Sequence, residues 1–525
     1  MASRAPALVV GFDLDMTLID TVPGFSATLE ALGAELGVRF PVFEMANNLG
    51  PPLDLVLGPH LAPEALAPAI DRFRELYVDH SITPVPALSG AHEALAAVRR
   101  HGGRVVVVTG KFAPNAQRHI THLGFDIDHL EGLVWGLGKA DVLRSEGASV
   151  YVGDHVHDVE GALAAGVVSV SVGTGGCTRD ELVAAGTHVV LDSLEEFPAW
   201  LDEHVLDLRL AALETRLREL GSVLVAFSGG ADSALLLAAA VRALGADKVV
   251  AATGYSDSLP AIERDPARDF AALLGVELLT PRTHEMEREG YRANSGERCY
   301  FCKAELIETL GPLAAERGIG HVATGTNADD AVAGFRPGIR AAAERGALTP
   351  LLDAGLTKDD VRRASRRWRL PTWDKPAAAC LSSRIAYGLE VTPHRLARVE
   401  RAEAAVRAVL ADSDLAVGDL RVRDLGERAS IEVDAALLEG PLAAGSPTAE
   451  VLRRAVLSCG FDLADLDPRG FRSGSLNEAP STECVHASRS VRWRLSDRPR
   501  VCPRSRTLSR RDAVEEEVRP CPLAR

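Results

Sequence analysis

From the first residues to about residue 340, short β-rich apolar runs alternate with stretches whose apolar side chains recur at helical spacing. Such alternation confines a chain to parallel sheets with helices on both faces. Strands are predicted over Ala7–Phe12, Arg104–Val108, Ser149–Val152, Val167–Val172, Ser222–Phe227, Lys248–Thr253 and His321–Thr324. Helices between them include Ala91–Arg100 and Ala234–Leu244. A charged helical segment, Ser193–Leu220, separates two such series and reads as a connector, so two sheets are expected rather than one. Residues 20–85 break the alternation as a helical, Pro-punctuated insertion after the first strand. A third region reads as a helix, Arg395–Val409, followed by strands within Ala416–Val433. The predicted fold is α/β: two doubly wound parallel-sheet domains, the first with a small helical cap, the second with a small C-terminal α+β subdomain. The expected divisions are 1–200 (cap 20–85), 206–385, 386–478 and a basic tail, 479–525.

The tail is set apart by composition: 11 Arg, no Lys, six acids, five Pro and three Cys without sustained periodicity, which predicts poor order. Over all 525 residues, 46% are apolar and 25% charged, as in ordinary globular protein. The net charge of −15 argues against a general nucleic-acid binder, which needs a basic surface to displace counterions. No stretch reaches the ~18 consecutive apolar residues of a membrane span, and the N-terminal apolar run is too short for a signal segment. A soluble, cytoplasmic enzyme is expected. Of 58 basic residues only six are Lys: Lys111, Lys139, Lys248, Lys303, Lys358 and Lys375. Where Arg is the default base, a compact ammonium is informative, because the two are not interchangeable.

Four segments assemble the residue types of phosphoryl transfer. The first strand ends in Asp13-Leu14-Asp15-Met16-Thr17, a second in Thr109-Gly110-Lys111, Lys139 follows, and a further strand ends in Gly153-Asp154-His155-Val156-His157-Asp158. A carboxylate nucleophile attacking phosphorus needs a divalent cation held by further carboxylates, and a cation or hydroxyl on the transferring oxygens. Alone, Asp-x-Asp more often caps a helix or solvates a loop; together the four pieces resemble the haloacid-dehalogenase-like (HAD) hydrolases. That resemblance implies Asp13 as nucleophile, Asp15 as general acid/base, Thr109 and Lys139 on the phosphoryl group, and Mg²⁺ held by Asp13, Asp15, Asp154 and Asp158. The insertion looks like that family's small cap, which favours a small phosphorylated substrate. Met16 departs from the family, where Gly is usual. His155 and His157 read as surface loop residues.

The second series carries Phe227-Ser228-Gly229-Gly230-Ala231-Asp232-Ser233, a strand, a Gly-rich turn and a helix. Glycines let backbone N–H groups approach phosphate, and the helix N-terminus adds partial positive charge. It lacks the Lys of a Walker A loop and resembles the PP-loop of ATP pyrophosphatases, implying ATP bound by Ser228, Gly229, Gly230, Asp232 and Ser233. Downstream lie Arg298-Cys299-Tyr300-Phe301-Cys302-Lys303, Gly325-Thr326-Asn327-Ala328-Asp329-Asp330, Lys358, Trp373-Asp374-Lys375-Pro376, Cys380-Leu381-Ser382-Ser383-Arg384, Arg421-Val422-Arg423 and Gly470–Glu478. With the loop, these resemble the LarE-type sulfurtransferases of nickel-pincer nucleotide biosynthesis, over about residues 206–478. The resemblance implies adenylation of a ring carboxylate of pyridinium-3,5-biscarboxylic acid mononucleotide, release of pyrophosphate and formation of a thiocarboxylate. Through that cofactor it implies a link to lactate racemization. Arg384, Arg421 and Arg423 become candidates for substrate oxyanions, since guanidinium forks suit them. Solvated charges on an exposed strand edge are the competing reading.

The Cys-x-x-Cys pair reads as metal or redox chemistry before a disulfide framework. Family members draw sulfur either from one sacrificed Cys, which Cys380 matches, or from a cluster on three Cys. Cys299, Cys302 and Cys380 resemble the three-Cys pattern and imply a [4Fe-4S] cluster with one open iron. An external sulfide donor is then an expected partner, beside the nucleotide substrate, and a homo-oligomer is compatible. A tRNA-thiolating PP-loop enzyme is the alternative reading, as is the sacrificial role of Cys380.

Overall fold

A computed structural model describes residues 8–47, 51–376, 379–416, 418–472 and 475–477. Six parallel strands form the first sheet: β1 (Val9–Phe12), β2 (Arg104–Val108), β3 (His129–Glu131), β4 (Val150–Gly153), β5 (Val168–Val172) and β6 (Val189–Leu191). Their spatial order is β3-β2-β1-β4-β5-β6, with register such as Phe12 opposite Val107 and Val152. The central strands β1 and β4 are buried along their whole length, which is why they read as unbroken apolar runs. The second sheet is also parallel, ordered β10-β7-β8-β9, from β7 (Val223–Ala226), β8 (Val249–Ala252), β9 (Glu277–Leu279) and β10 (Val322–Thr324). A third, mixed sheet joins β11 (Arg421–Asp424), β12 (Arg428–Glu432) and β13 (Leu463–Leu466) under the helices Pro393–Asp412 and Pro447–Leu457. The architecture is two doubly wound parallel sheets with flanking helices. Among the described residues no helix is long and apolar enough to cross a membrane.

Both parallel sheets reverse direction beside their first strand. The chain runs β1, β2, β3 to one side and returns to β4 on the other; likewise β7, β8, β9 and then β10. At such a switch point neighbouring crossovers diverge and leave a crevice beyond the strand C-termini. The insertion forms helices Val22–Leu36, Val42–Asn47, Leu53–Leu57 and Pro63–His80 with their own apolar core, including Phe25, Leu29, Phe73 and Tyr77.

The segment expected as a connector is a 24-residue helix, Phe197–Leu220, shared by two cores. Phe197, Leu201 and Val205 pack into the core of the first sheet, and Leu206, Leu210, Leu213 and Leu217 into that of the second. Each buried Leu contributes roughly 1.5–3 kcal/mol. Arg209 pairs with Asp360 at 2.5 Å, and Arg363 and Arg367 both reach Glu203, so the helix is tied to Lys358–Arg367 as well.

In the third core Asp424, fully buried, accepts from Arg398 at 2.6 and 2.7 Å and from Arg395 at 2.8 Å. Removing one partner of a buried pair leaves the other charge uncompensated. Asp424→Ala is expected to lower the stability of this region by about 3–5 kcal/mol, read as an earlier first transition in a urea melt.

A further unit begins at Gly474, of which only the turn Ser475–Asn477 is described. The expected tail, 479–525, lies outside the described residues.

Candidate functional site

Three strand ends and two helix starts build the first centre. Asp13 follows β1 and extends its pairing, its N–H donating to the Val152 carbonyl at 2.8 Å. Period-2 alternation then sends Leu14 into the core and returns Asp15 to the side of Asp13. Thr109 follows β2, Asp154 follows β4, Asp158 sits in the first turn of the helix Val156–Ala165, and Lys139 opens the helix Lys139–Ser145. Lys139 Nζ donates to Asp13 at 2.9 Å, to Asp158 at 2.5 Å and to the Tyr151 hydroxyl at 2.8 Å. Asp13, Asp154 and Asp158 offer oxygens all within 4.8 Å of one another, the one such ligand group among the described residues.

Burial pushes the Asp13 carboxyl up to about 7, against Lys139 and with the repulsion of Asp158 and Asp15. Burial also raises Asp154 well above its usual range, with Asp158 and Asp13 adding to the shift. Three buried carboxylates facing one ammonium leave an excess of negative charge with oxygen donors only, the chemistry that suits Mg²⁺. Asp15 lies outside this group. Lys111 Nζ at 2.5 Å and the Thr21 hydroxyl at 2.5 Å hold its carboxyl below the usual range despite burial.

Local backbone explains several neighbours. Met16 sits at φ 58°, the left-handed region that favours Gly, and its carbonyl accepts from Thr174 at 2.6 Å. Gly175 must lack a side chain, because a Cβ there would lie 1.9 Å from Asp154 Oδ2. Thr17, absent from the sequence-based site, donates to Asp154 at 2.8 Å. His155 and His157, expected on the surface, instead line the cavity: His155 caps the helix Val156–Ala165, and the two rings stack at 4.9 Å. Short chain separation from Asp154 gave no signal of this; only the helix start turns them inward.

The cap helix closes the far side. Tyr77 lies under the Lys111 ammonium, 4.7 Å from ring centroid to Nζ, and its hydroxyl meets His119 Nε2 at 3.0 Å. His119 is fully buried and its Nδ1 has no partner among the described residues. Burial, aided by the Lys111 charge, lowers its pKa to about 4. Below pH 6.5 the unfolded chain binds a proton that the folded protein refuses, so the contribution of His119 to stability falls as pH drops from about 6.5 to 4, opposite in sign to that of the raised Asp13 carboxyl. The loss is expected to reach about 3 kcal/mol, read as the difference between wild type and His119→Gln in urea midpoints across that range.

The second centre is built at the other switch point. The Ser228–Gly230 turn leads from β7 into the helix Ala231–Leu244, with Gly229 at φ 73°. Ser228 N–H donates to Ser233 Oγ at 3.2 Å, and the two hydroxyls meet at 3.0 Å. Asp232 accepts from Asn327 at 3.0 Å and Lys358 at 2.5 Å, while Lys375 donates to the Gly229 carbonyl at 3.0 Å and Glu263 at 2.6 Å. A cavity of about 320 Å³ runs from Ser228, Asp232 and Ser233 to Cys302, Lys303 and Cys380. Asn327 and Glu263 were not among the residues singled out from sequence; Asn327 stood in a quoted segment, Glu263 had no local signal.

The arginines lie elsewhere. Arg384 pairs with Glu403 at 2.9 Å, Arg423 with Glu432 at 2.8 Å, both almost fully buried. Arg384 also donates to the Cys380 carbonyl at 2.8 Å and Arg423 to that of Ser383 at 3.2 Å, so both shape the loop carrying Cys380. Arg421 stacks over Phe471 at 5.3 Å.

The iron–sulfur expectation is corrected. Among the described residues Cys299, Cys302 and Cys380 form no ligand group; the only one is carboxylate. Cys299 is exposed, whereas burial, with Cys380 adding to the shift, pushes the half-buried Cys302 thiol far up. A thiol held protonated is a poor ligand, since metal–sulfur bonding needs the thiolate. Cys380 Sγ lies 2.9 Å from Ser382 Oγ. The link to lactate racemization, drawn through the nickel-pincer cofactor, is likewise withdrawn: nothing in the geometry of the two centres supports it.

A family model described as haloacid dehalogenase-like hydrolase matches residues 10–162, and a second hydrolase-like model matches 129–197. The chain is 39% identical over 273 residues to an uncharacterized Synechocystis protein, covering 52% of this chain and 98% of that one. It is 32% identical over 268 residues to the pyridinium-3,5-bisthiocarboxylic acid mononucleotide synthase of Lactiplantibacillus plantarum, 51% of this chain and 93% of that one. It is also 31% identical over 213 residues to the tyrosine-protein kinase PtkA of Mycobacterium tuberculosis, 37% of this chain and 72% of that one.

Proposed function

This chain joins a haloacid dehalogenase-like hydrolase to a region of the family of the pyridinium-3,5-bisthiocarboxylic acid mononucleotide synthase, and from that premise we propose a bifunctional enzyme: a phosphate monoesterase, residues 1–200, fused to an ATP-dependent sulfurtransferase, residues 206–478. The observation carrying the first half is the meeting of Asp13, Asp154, Asp158 and Lys139 beyond β1 and β4.

Asp13 attacks phosphorus, the ester P–O bond breaks, and Asp15 gives a proton to the leaving oxygen. Water then attacks the aspartyl phosphate while Asp15 takes its proton, releasing phosphate and restoring Asp13. Lys111 keeps Asp15 ionised in the free enzyme; an incoming phosphate competes for Lys111 and so raises the proton affinity of Asp15 for the first step. Thr109 and Lys139 steady the phosphoryl oxygens. Asp13, Asp154 and Asp158 would hold Mg²⁺, which supplies charge neutralisation at those oxygens when bound. A chelator is expected to abolish phosphate release, and Mg²⁺ to restore it and raise the melting temperature by binding the folded state. Full activity in excess chelator would overturn the metal assignment.

In the second half, the Ser228–Ser233 loop cradles ATP, a ring carboxylate of pyridinium-3,5-biscarboxylic acid mononucleotide attacks the α-phosphorus, and pyrophosphate leaves. The Cys380 sulfur displaces AMP to form a thioester. Loss of the Cys380 Cα proton then breaks its Cβ–S bond, leaving dehydroalanine on the protein and a thiocarboxylate on the product. The cavity reaching from the loop to Cys380 supports placing both steps at one site.

A further inference from the structure

The first cavity is larger than its phosphate end requires, and what lines the remainder is selective. We infer that the ester processed at Asp13 is the monophosphate of a nucleoside-like compound whose flat ring carries a carboxylate. The inference rests on the phosphate monoesterase reading and names its substrate class.

The cavity holds about 300 Å³, the lower end of the range for small-molecule sites. Its walls away from Asp13 set rings, Phe25 and Phe73 from the cap and Phe112 and Trp135 from the loops beyond β2 and β3, beside aliphatic side chains such as Leu53 and Ile70 and the exposed Asp54. Trp135 meets His157 edge-on with centroids 4.2 Å apart, and His157 stacks on His155, so the three rings form one aromatic cluster on the wall. Such aromatic side chains suit a flat ring in stacked or edge contact better than a short aliphatic chain.

Charge narrows the class further. Both lysines of the cavity are committed, Lys139 to Asp13 and Asp158, Lys111 to Asp15. The remaining cation is Arg74, on the cap helix Pro63–His80. Its guanidinium lies 4.8 Å over the Phe112 ring, and its Nε is buried with no hydrogen-bond partner among the described residues. Its ion pair, to Asp71 at 3.4 Å, is with a side chain 75% exposed and screened by solvent. Arg74 lines the cavity, and its planar cationic fork, whose one ion pair among the described residues is that exposed one, suits a ligand carboxylate with two oxygens. A neutral ring would leave the fork with that solvent-screened pair alone. Acid-bearing pyridinium mononucleotides fall in this class, so both halves of the chain would handle one kind of compound.

The test measures phosphate release by the full chain with Mg²⁺ from nicotinic acid mononucleotide, nicotinamide mononucleotide, AMP and glycerol 3-phosphate. Binding of the same four to Asp13→Asn protein is measured by calorimetry. The acid mononucleotide is expected to exceed its amide by about tenfold or more in kcat/KM and to exceed glycerol 3-phosphate further. Arg74→Gln should bring the acid-to-amide ratio near one, and Trp135→Ala should shrink the preference for ring esters over glycerol 3-phosphate. Equal use of acid and amide, a preference for AMP or glycerol 3-phosphate, or an acid-to-amide ratio unmoved by Arg74→Gln overturns the assignment. Selective binding of the acid without hydrolysis by wild type sustains it while refuting the monoesterase reading. Absence of both binding and hydrolysis of the acid overturns it.

Discussion

Asp13→Asn protein is expected to release no measurable phosphate, at least about a thousandfold below wild type, while folding as well as wild type. The amide keeps the shape of the carboxylate but has no charged oxygen to attack phosphorus. It also removes one of three carboxylates crowded within 4.8 Å. Burial and the repulsion of Asp158 already push the Asp13 proton affinity up, so without divalent cation the variant should melt no lower than wild type. Lys139 keeps its 2.5 Å pair with Asp158. A variant retaining more than a tenth of the activity would exclude Asp13 as nucleophile. Loss of activity together with loss of the fold would instead mean that Asp13 is a structural partner of Lys139.

The second large effect is expected at Cys380. With ATP and the biscarboxylic acid mononucleotide, wild type should make at most one thiocarboxylate per chain, its intact mass falling by the elements of H₂S at Cys380. Cys380→Ala should yield no thiocarboxylate yet still release pyrophosphate, because the Ser228–Ser233 loop is untouched. Cys299→Ser and Cys302→Ser should retain product formation, since the three thiols form no ligand group among the described residues. Many turnovers on added sulfide, or sulfur transfer by Cys380→Ala, would remove Cys380 as the donor.

Legibility in the sequence followed physical locality. The buried strands β1, β2, β4, β5, β7, β8 and β10 were visible within a residue or two, because strands covered on both faces are mostly apolar, β5 alternating its Val with two small buried Ser. The strands β3, β6 and β9 were not. Each has three residues at a sheet edge, as β10 does, but unlike the fully buried β10 each is partly exposed and so carries no clear apolar run of its own. The scarcity of Lys pointed usefully: Lys139, Lys111, Lys358 and Lys375 all make short polar contacts at the two centres, and Lys303 lines the second cavity.

By itself the sequence determined the fold class and the residue types at each strand end, because strand-end motifs are contiguous and their burial is written in the strands that carry them. Tertiary structure decided what depends on distance. It set Asp15 against Lys111 across 96 positions, committed Arg384 and Arg423 to buried glutamates, and kept three cysteines from forming a cluster. It also turned a supposed connector into a helix shared by two cores. Partner choice for a charge or a thiol is settled by which side chains packing brings within a few ångströms, and no local periodicity encodes that.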